Sequence, residues 1–344
     1  MINKRNDTID LLKGIAILCV VWGHTIQYAT GNDGNFFDDI GYLYINSFHM
    51  PLFMLLSGYL FYKSWSRECS FEKLFERVKN LMIPIFMCGI VPSIVVQMLL
   101  GHTIKMNTIY HGLTSTLWFL WSLICMTLVY GMLDIVAKKF SVNLIIKWML
   151  EIIGGGILIA LPNGQVNLWL YPFFLMGCCV SKENLKFQPN IVVKFIVPII
   201  WGILGVLYKT NYYISYSGMF LLNDLSNQLY IDIYRWTFNI LGVVTIIIVS
   251  QFFTKQLLLF KSFVKIGQYT LQIYIIQHWL LEVVIGTWMV PRIIDEFGWT
   301  FVSINTVVFD CLIAPIFSII YCLLCIMIVR YLEKIKIAKL LFGR

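Results

Sequence analysis

The chain has 344 residues, 59% of them hydrophobic and only 13% charged, about half the charged share of an ordinary soluble domain. A formal charge of +8 would suit nucleic acid, but the Lys and Arg residues lie in clusters between long apolar runs, which excludes a nucleic-acid-binding face and a soluble core alike. None of the nine cysteines falls in a segment expected to face outward, so they predict small core filler and no disulfide framework.

In chain order, the apolar runs predict about ten transmembrane helices, near 9–29, 41–62, 81–100, 115–136, 144–161, 166–181, 191–209, 233–253, 266–289 and 300–329. Each has to be helical, because lipid offers nothing to bond a free backbone N–H or C=O. The first run, Ile9 to Tyr28, is longer than the core of a cleavable leader and reads as a retained span. The fifth contains Gly154, Gly155 and Gly156, which predict close helix packing; it meets the sixth at the turn Pro162-Asn163-Gly164. With the N-terminus in the cytoplasm, all 26 Lys and Arg except Lys105, Lys209, Arg235 and Arg292 lie inside or at inner span ends. The expected fold is therefore an all-α integral membrane protein with both termini cytoplasmic. Residues 1–330 form the membrane domain, and 331–344, alternating Leu or Ile with Lys, form a basic amphipathic tail on the inner leaflet.

Ionisable groups within such spans cost roughly 2.5–3.5 kcal/mol each at mid-helix and point to function. The first helix holds Asp10, Lys13 and His24. Lys13 and His24 are eleven residues apart, which returns them to nearly the same helical face about 16 Å apart along the axis, with Asp10 one turn below. This is a polar stripe ending on an imidazole, although Asp10 and Lys13 alone fit interfacial pairing equally well. His49 and Pro51 interrupt the second helix, where His49 suits a satisfied core histidine as well as a catalytic one; Ser57-Gly58 permits close approach. The loop from Lys63 to Lys79 ends in Arg77-Val78-Lys79-Asn80, which reads either as positive-inside charge or as an anion site. Glu151 and Lys147, four residues apart, read as a local pair, whereas His278 and Glu282 share a helix face in the ninth span and Asp310 falls in the tenth.

The run Arg5-Asn6-Asp7-Thr8-Ile9-Asp10-Leu11-Leu12-Lys13-Gly14, continuing to Trp22-Gly23-His24, resembles the opening of the acyltransferase-3 family, in which a basic residue precedes a key histidine. Phe48-His49-Met50-Pro51-Leu52-Phe53 with Ser57-Gly58-Tyr59 resembles its second-helix signature, Trp118-Phe119-Leu120 its fourth-helix start, and Ile266-Gly267-Gln268-Tyr269 through His278 its penultimate segment. The Lys13-Gly14-Ile15-Ala16 version resembles the fucose 4-O-acetylase-like branch. The family's Arg-x-x-Arg before the third-helix proline is here Arg77 and Asn80, with Lys79 available to compensate.

The resemblance implies a ten-helix enzyme of a bacterial cytoplasmic membrane that takes an acyl group, usually acetyl, from cytoplasmic acyl-CoA. It would pass that group to a hydroxyl of a surface or exported carbohydrate, lipid-linked in many cases. In that reading Arg5, Lys13, Arg77, Lys79 and Asn80 hold the CoA phosphates, Asp10 orients Lys13, and His24 is the general base, an unperturbed imidazole having a pKa near 6.5. His49, Ser57 or His278 would meet the oxyanion, with Trp118 and Glu282 as further contacts to substrate. No spacing suits a metal. A covalent acyl relay through His24 is a variant of the same chemistry. The competing class is a secondary transporter or flippase that uses His24, Glu282 and Asp310 as its intramembrane path.

Overall fold

The computed structural model describes residues 6–29, 39–99, 106, 117–160, 168–185, 187–208, 224–253, 258–297 and 306–342, and among these there is no strand. The helices are α1 (Asp7–Ala29), α2 (Ile40–Trp65), α3 (71–99), α4 (Trp118–Lys139), α5 (Leu144–Ala160), α6 (Tyr171–Lys182), α7 (Ile191–Val206), α8 (Leu225–Ser250), α9 (Leu258–Gln268), α10 (270–297), α11 (306–334) and α12 (Ala338–Phe342). Five of them, α1, α4, α8, α10 and α11, are long and apolar enough to cross a bilayer. Arg5 and the turn 162–164 lie outside the described residues.

Several helices expose an apolar stripe where a water-soluble helix would be polar. On α11, Ile316, Ile319, Ile320, Leu323 and Met327 are exposed, while Ser318, Tyr321, Cys322 and Cys325 are buried. On α7, Phe195, Ile196, Ile199 and Ile203 face outward in the same way. Such stripes exceed what a monomer tolerates in water, and lipid is the solvent that suits them. All nine cysteines are free thiols, and most are buried.

The chain forms two compact units. The first holds α1, α2 as far as Phe53, α7, α8 from Tyr230, α9, α10 and α11 as far as Tyr331; the second holds the rest of α2, α3 to α6, and the end of α11 with α12.

In the first unit, α1 begins at Asn6, whose side-chain oxygen accepts from Thr8 N at 3.0 Å. α1 then packs backbone to backbone on α9. A side chain at Gly14 would strike the Phe263 carbonyl, and one at Gly267 would strike that of Asp10. Leu11, Phe260 and Val264 close the apolar side of this contact. The expected ninth span is thus two helices: α9 stops at Gln268, Thr270 Oγ1 donates to the Gly267 carbonyl at 2.5 Å, and α10 starts anew.

Pro51 does not break α2. Having no N–H, it leaves the carbonyl of Ser47, four residues earlier, without its helical donor. The side-chain amide of Asn239 on α8 supplies that bond at 3.0 Å and donates to the Arg235 carbonyl at 3.1 Å. The neighbouring helix therefore satisfies the freed group, as lipid requires.

In the second unit, α2 and α6 touch through Gly58 and Gly177: a side chain on either would strike the other helix's backbone, at the Phe174 and Leu55 carbonyls respectively. The close approach expected of Ser57-Gly58 is present. Of the three glycines of α5, Gly155 makes room for the Tyr171 ring. α3 starts earlier than the expected third span, because Ser70 caps it by accepting from Lys73 N at 3.2 Å. Arg77, Lys79 and Asn80 consequently sit on a helix and not in a loop. α11 crosses residue 330 unbroken to Lys334; α12 packs on α3, with Phe342 buried and the Leu341 carbonyl accepting from Cys88 Sγ at 3.5 Å.

Candidate active site

From His278 to Met289, α10 is wound as a π-helix, with i→i+5 bonding. Such winding is rare and is found mostly at functional sites. It begins on His278 and carries Glu282 one turn later, facing α1. Glu282 is the hub of a cluster within the first unit. Its Oε2 lies 2.8 Å from His278 Nδ1, and its Oε1 lies 3.4 Å from His24 Nδ1. Gln277 Nε2 donates to Oε1 at 3.3 Å, and the Tyr28 hydroxyl also bonds the carboxylate. The His24 ring lies parallel to that of Tyr28, with centroids 5.6 Å apart and planes 4° apart, and Gly286 leaves the space that the Tyr28 side chain occupies. His24 is 25% exposed, so the imidazole is walled in yet reachable.

Three sequence-singled residues, His24, His278 and Glu282, thus converge from positions far apart in the chain. Their arrangement sets one carboxylate between two imidazoles. Asp10 is buried and Lys13 half-buried on the stretch of α1 pressed against α9. His49 is buried, and its Nδ1 lies 2.7 Å from the Ile45 carbonyl. A carbonyl can only accept, so Nδ1 carries the proton and the other nitrogen of the neutral ring is an acceptor. This fits the core-histidine reading and not a donor to an oxyanion. Asp310 is buried against Gly41, and its carbonyl accepts from Trp22 Nε1 at 2.7 Å.

The remaining candidates belong to the second unit. Arg77 lies with its guanidinium 4.6 Å over the Phe61 ring and donates to Ser64 Oγ at 2.7 Å. Lys79 and Asn80 are exposed, while Ser57 and Trp118 are half-buried, Trp118 edge-on to Phe119. The Lys147–Glu151 pair expected from spacing is not what forms. Lys147 is bonded to Asp134 on α4, and Glu151 accepts from the Tyr171 hydroxyl at 2.9 Å. Asp134 also takes Lys138 at 3.0 Å and Trp65 Nε1 at 2.7 Å. Sequence reading passed over Asp134, Tyr28 and Gln277. A buried position one turn before Lys138 was the available signal for the first; the other two are ordinary polar residues near helix ends and carried none.

A helical chain with apolar exposed stripes and helices long enough to cross a bilayer is a multi-pass integral membrane protein. Residues 6–330 match the family model described as an acyltransferase domain, and the chain belongs to that family, acyltransferase-3. Two curated relatives are nodulation proteins NolL. The one from Sinorhizobium fredii is 30% identical over 203 residues, 56% of this chain and 53% of that protein. The one from Mesorhizobium japonicum is 24% identical over 299 residues, 80% of this chain and 76% of that protein. The chain thus aligns with about half the length of the first and three quarters of the second. No solved structure matches it.

Proposed function

We propose that this protein transfers an acyl group, acetyl in the first instance, from cytoplasmic acyl-CoA to a hydroxyl of a surface or exported carbohydrate, with His24 as general base. The observation that carries the reading is the His24–Glu282 contact. The histidine of the family-like opening sits 3.4 Å from a carboxylate supplied by a helix more than two hundred residues later. With Nδ1 turned to Glu282, Nε2 is the nitrogen left to meet substrate. It takes the proton as the sugar oxygen attacks the thioester carbonyl. The C–S bond then breaks, and the proton passes from His24 to the departing thiolate, giving CoA and the O-acyl product.

Arg77, held flat on Phe61 and donating to Ser64, carries the forked cation that suits a phosphate of the donor, and Lys79 and Asn80 lie on the same helix. Lys13, with Asp10, and Arg5 remain the candidates at the inner end of α1. His278 and Ser57 remain candidate contacts for substrate, as does Trp118. The ten-span arrangement in a bacterial cytoplasmic membrane, termini inside, belongs to the same proposal. A transport path through His24, Glu282 and Asp310 gains nothing from the family match.

Purified protein given acetyl-CoA and isolated glycan acceptor should release CoA thiol in step with O-acetyl product. His24→Ala should lower that rate by about 10²–10⁴-fold, the usual worth of a general base. Flux of glycan across proteoliposomes with no thiol release would instead favour transport.

A further inference from the structure

Glu282 carries one negative charge and faces two imidazoles. It does not treat them equally: 2.8 Å to His278 is a short, charge-assisted hydrogen bond, whereas 3.4 Å to His24 is a looser contact. The asymmetry is built in. His278 and Glu282 are four residues apart on the same π-wound segment, so the backbone sets their separation, and Gln277 and Tyr28 fix the carboxylate from the other side. The other titratable groups facing the cluster are Tyr28 on α1, Tyr42 and His49 on α2 and Tyr321 on α11. α9 keeps Lys261 and Lys265 on its exposed side. Among the described residues, His278 is therefore the nearest group able to balance Glu282 without protonating His24.

We propose that His278 is a positioning residue for the transfer proposed above. It holds the Glu282 charge on itself, so that His24 enters the reaction as the neutral imidazole. When His24 takes the sugar proton, its imidazolium forms beside a carboxylate already engaged by the shorter bond to His278. That carboxylate holds the new charge weakly, which favours passing the proton to the leaving thiolate sulfur and restores the starting state.

The inference rests on His24 being the base, and its test separates the two claims. Diethyl pyrocarbonate modifies only neutral imidazole, so the pH midpoint of His24 modification, followed by peptide mass spectrometry, reads its protonation whether or not the enzyme turns over. His278→Gln keeps an N–H for Glu282 and removes the charge. Glu282 then acts on His24 alone, favouring its charged form, so the midpoint should move to higher pH by about one unit, and the acid limb of kcat/KM with it. Well below the midpoint the variant should be about tenfold slower than wild type, recovering to within about twofold well above it. His278→Lys, which returns a cation, should restore the wild-type midpoint. An unmoved midpoint in His278→Gln overturns the proposal, and so does a loss of rate that is parallel at every pH. A moved midpoint with full activity in His24→Ala would keep the tuning and remove His24 as the base.

Discussion

Lys147 and Asp134 are held across two helices, and the consequences of removing a charged partner differ sharply by site. Lys147 is 14% exposed and bonded to Asp134, itself nearly fully buried, whereas Lys138 reaches the same carboxylate from a side chain 55% exposed. Asp134→Ala would strand Lys147 and should cost about 3–5 kcal/mol, read as a large drop in thermal stability in detergent. Lys138→Ala should cost under about 1 kcal/mol in the same assay. What sequence revealed at this scale was residue type: an imidazole or carboxylate inside an apolar run is conspicuous, so His24, His278 and Glu282 were legible singly. The i,i+4 rule paired His278 with Glu282 correctly and Lys147 with Glu151 wrongly, because a local rule knows nothing of Asp134 on the next helix or of the Tyr171 hydroxyl. That His24 meets Glu282 was not legible, since nothing local links α1 to α10.

Helix packing depends on a few positions where backbone meets backbone or borrows a side chain. Gly58 lies against the Phe174 carbonyl, so Gly58→Leu cannot be absorbed by a rotamer change and should push α2 from α6. Overpacking of that kind costs about 1–3 kcal/mol or more, to be measured as lost thermal stability, with Gly156→Ala, whose added carbon would meet nothing within 4 Å, as the control. Asn239 makes the second such position. Asn239→Leu removes the donor to the Ser47 carbonyl that Pro51 leaves open, at a cost of about 1–3 kcal/mol, and Pro51→Ala in the same chain should recover part of it. The helices themselves were legible from hydropathy, and the need for a neighbour to satisfy Pro51 was legible from the proline alone. Which neighbour was not. The start of α3 was misplaced because hydropathy marks where lipid begins, whereas the Ser70 cap marks where the helix begins.

At the scale of the whole molecule, the distribution of Lys and Arg predicts both termini on the cytoplasmic side. Reporter fusions after α12 and before α1 should be active only as cytoplasmic reporters; an outward reading at either end would contradict an even number of spans. The apolar stripes of α7 and α11 need lipid or detergent, so dilution below the critical micelle concentration should aggregate the protein without first unfolding its helices. The central claim is that acyl transfer to a glycan depends on His24. It is tested most directly by mass spectrometry of the O-acetyl content of surface glycans from cells lacking the native gene and supplied with wild type or His24→Ala at equal membrane levels. Loss of O-acetyl groups with His24→Ala alone is the result predicted here; O-acetyl groups carried equally by both would contradict it.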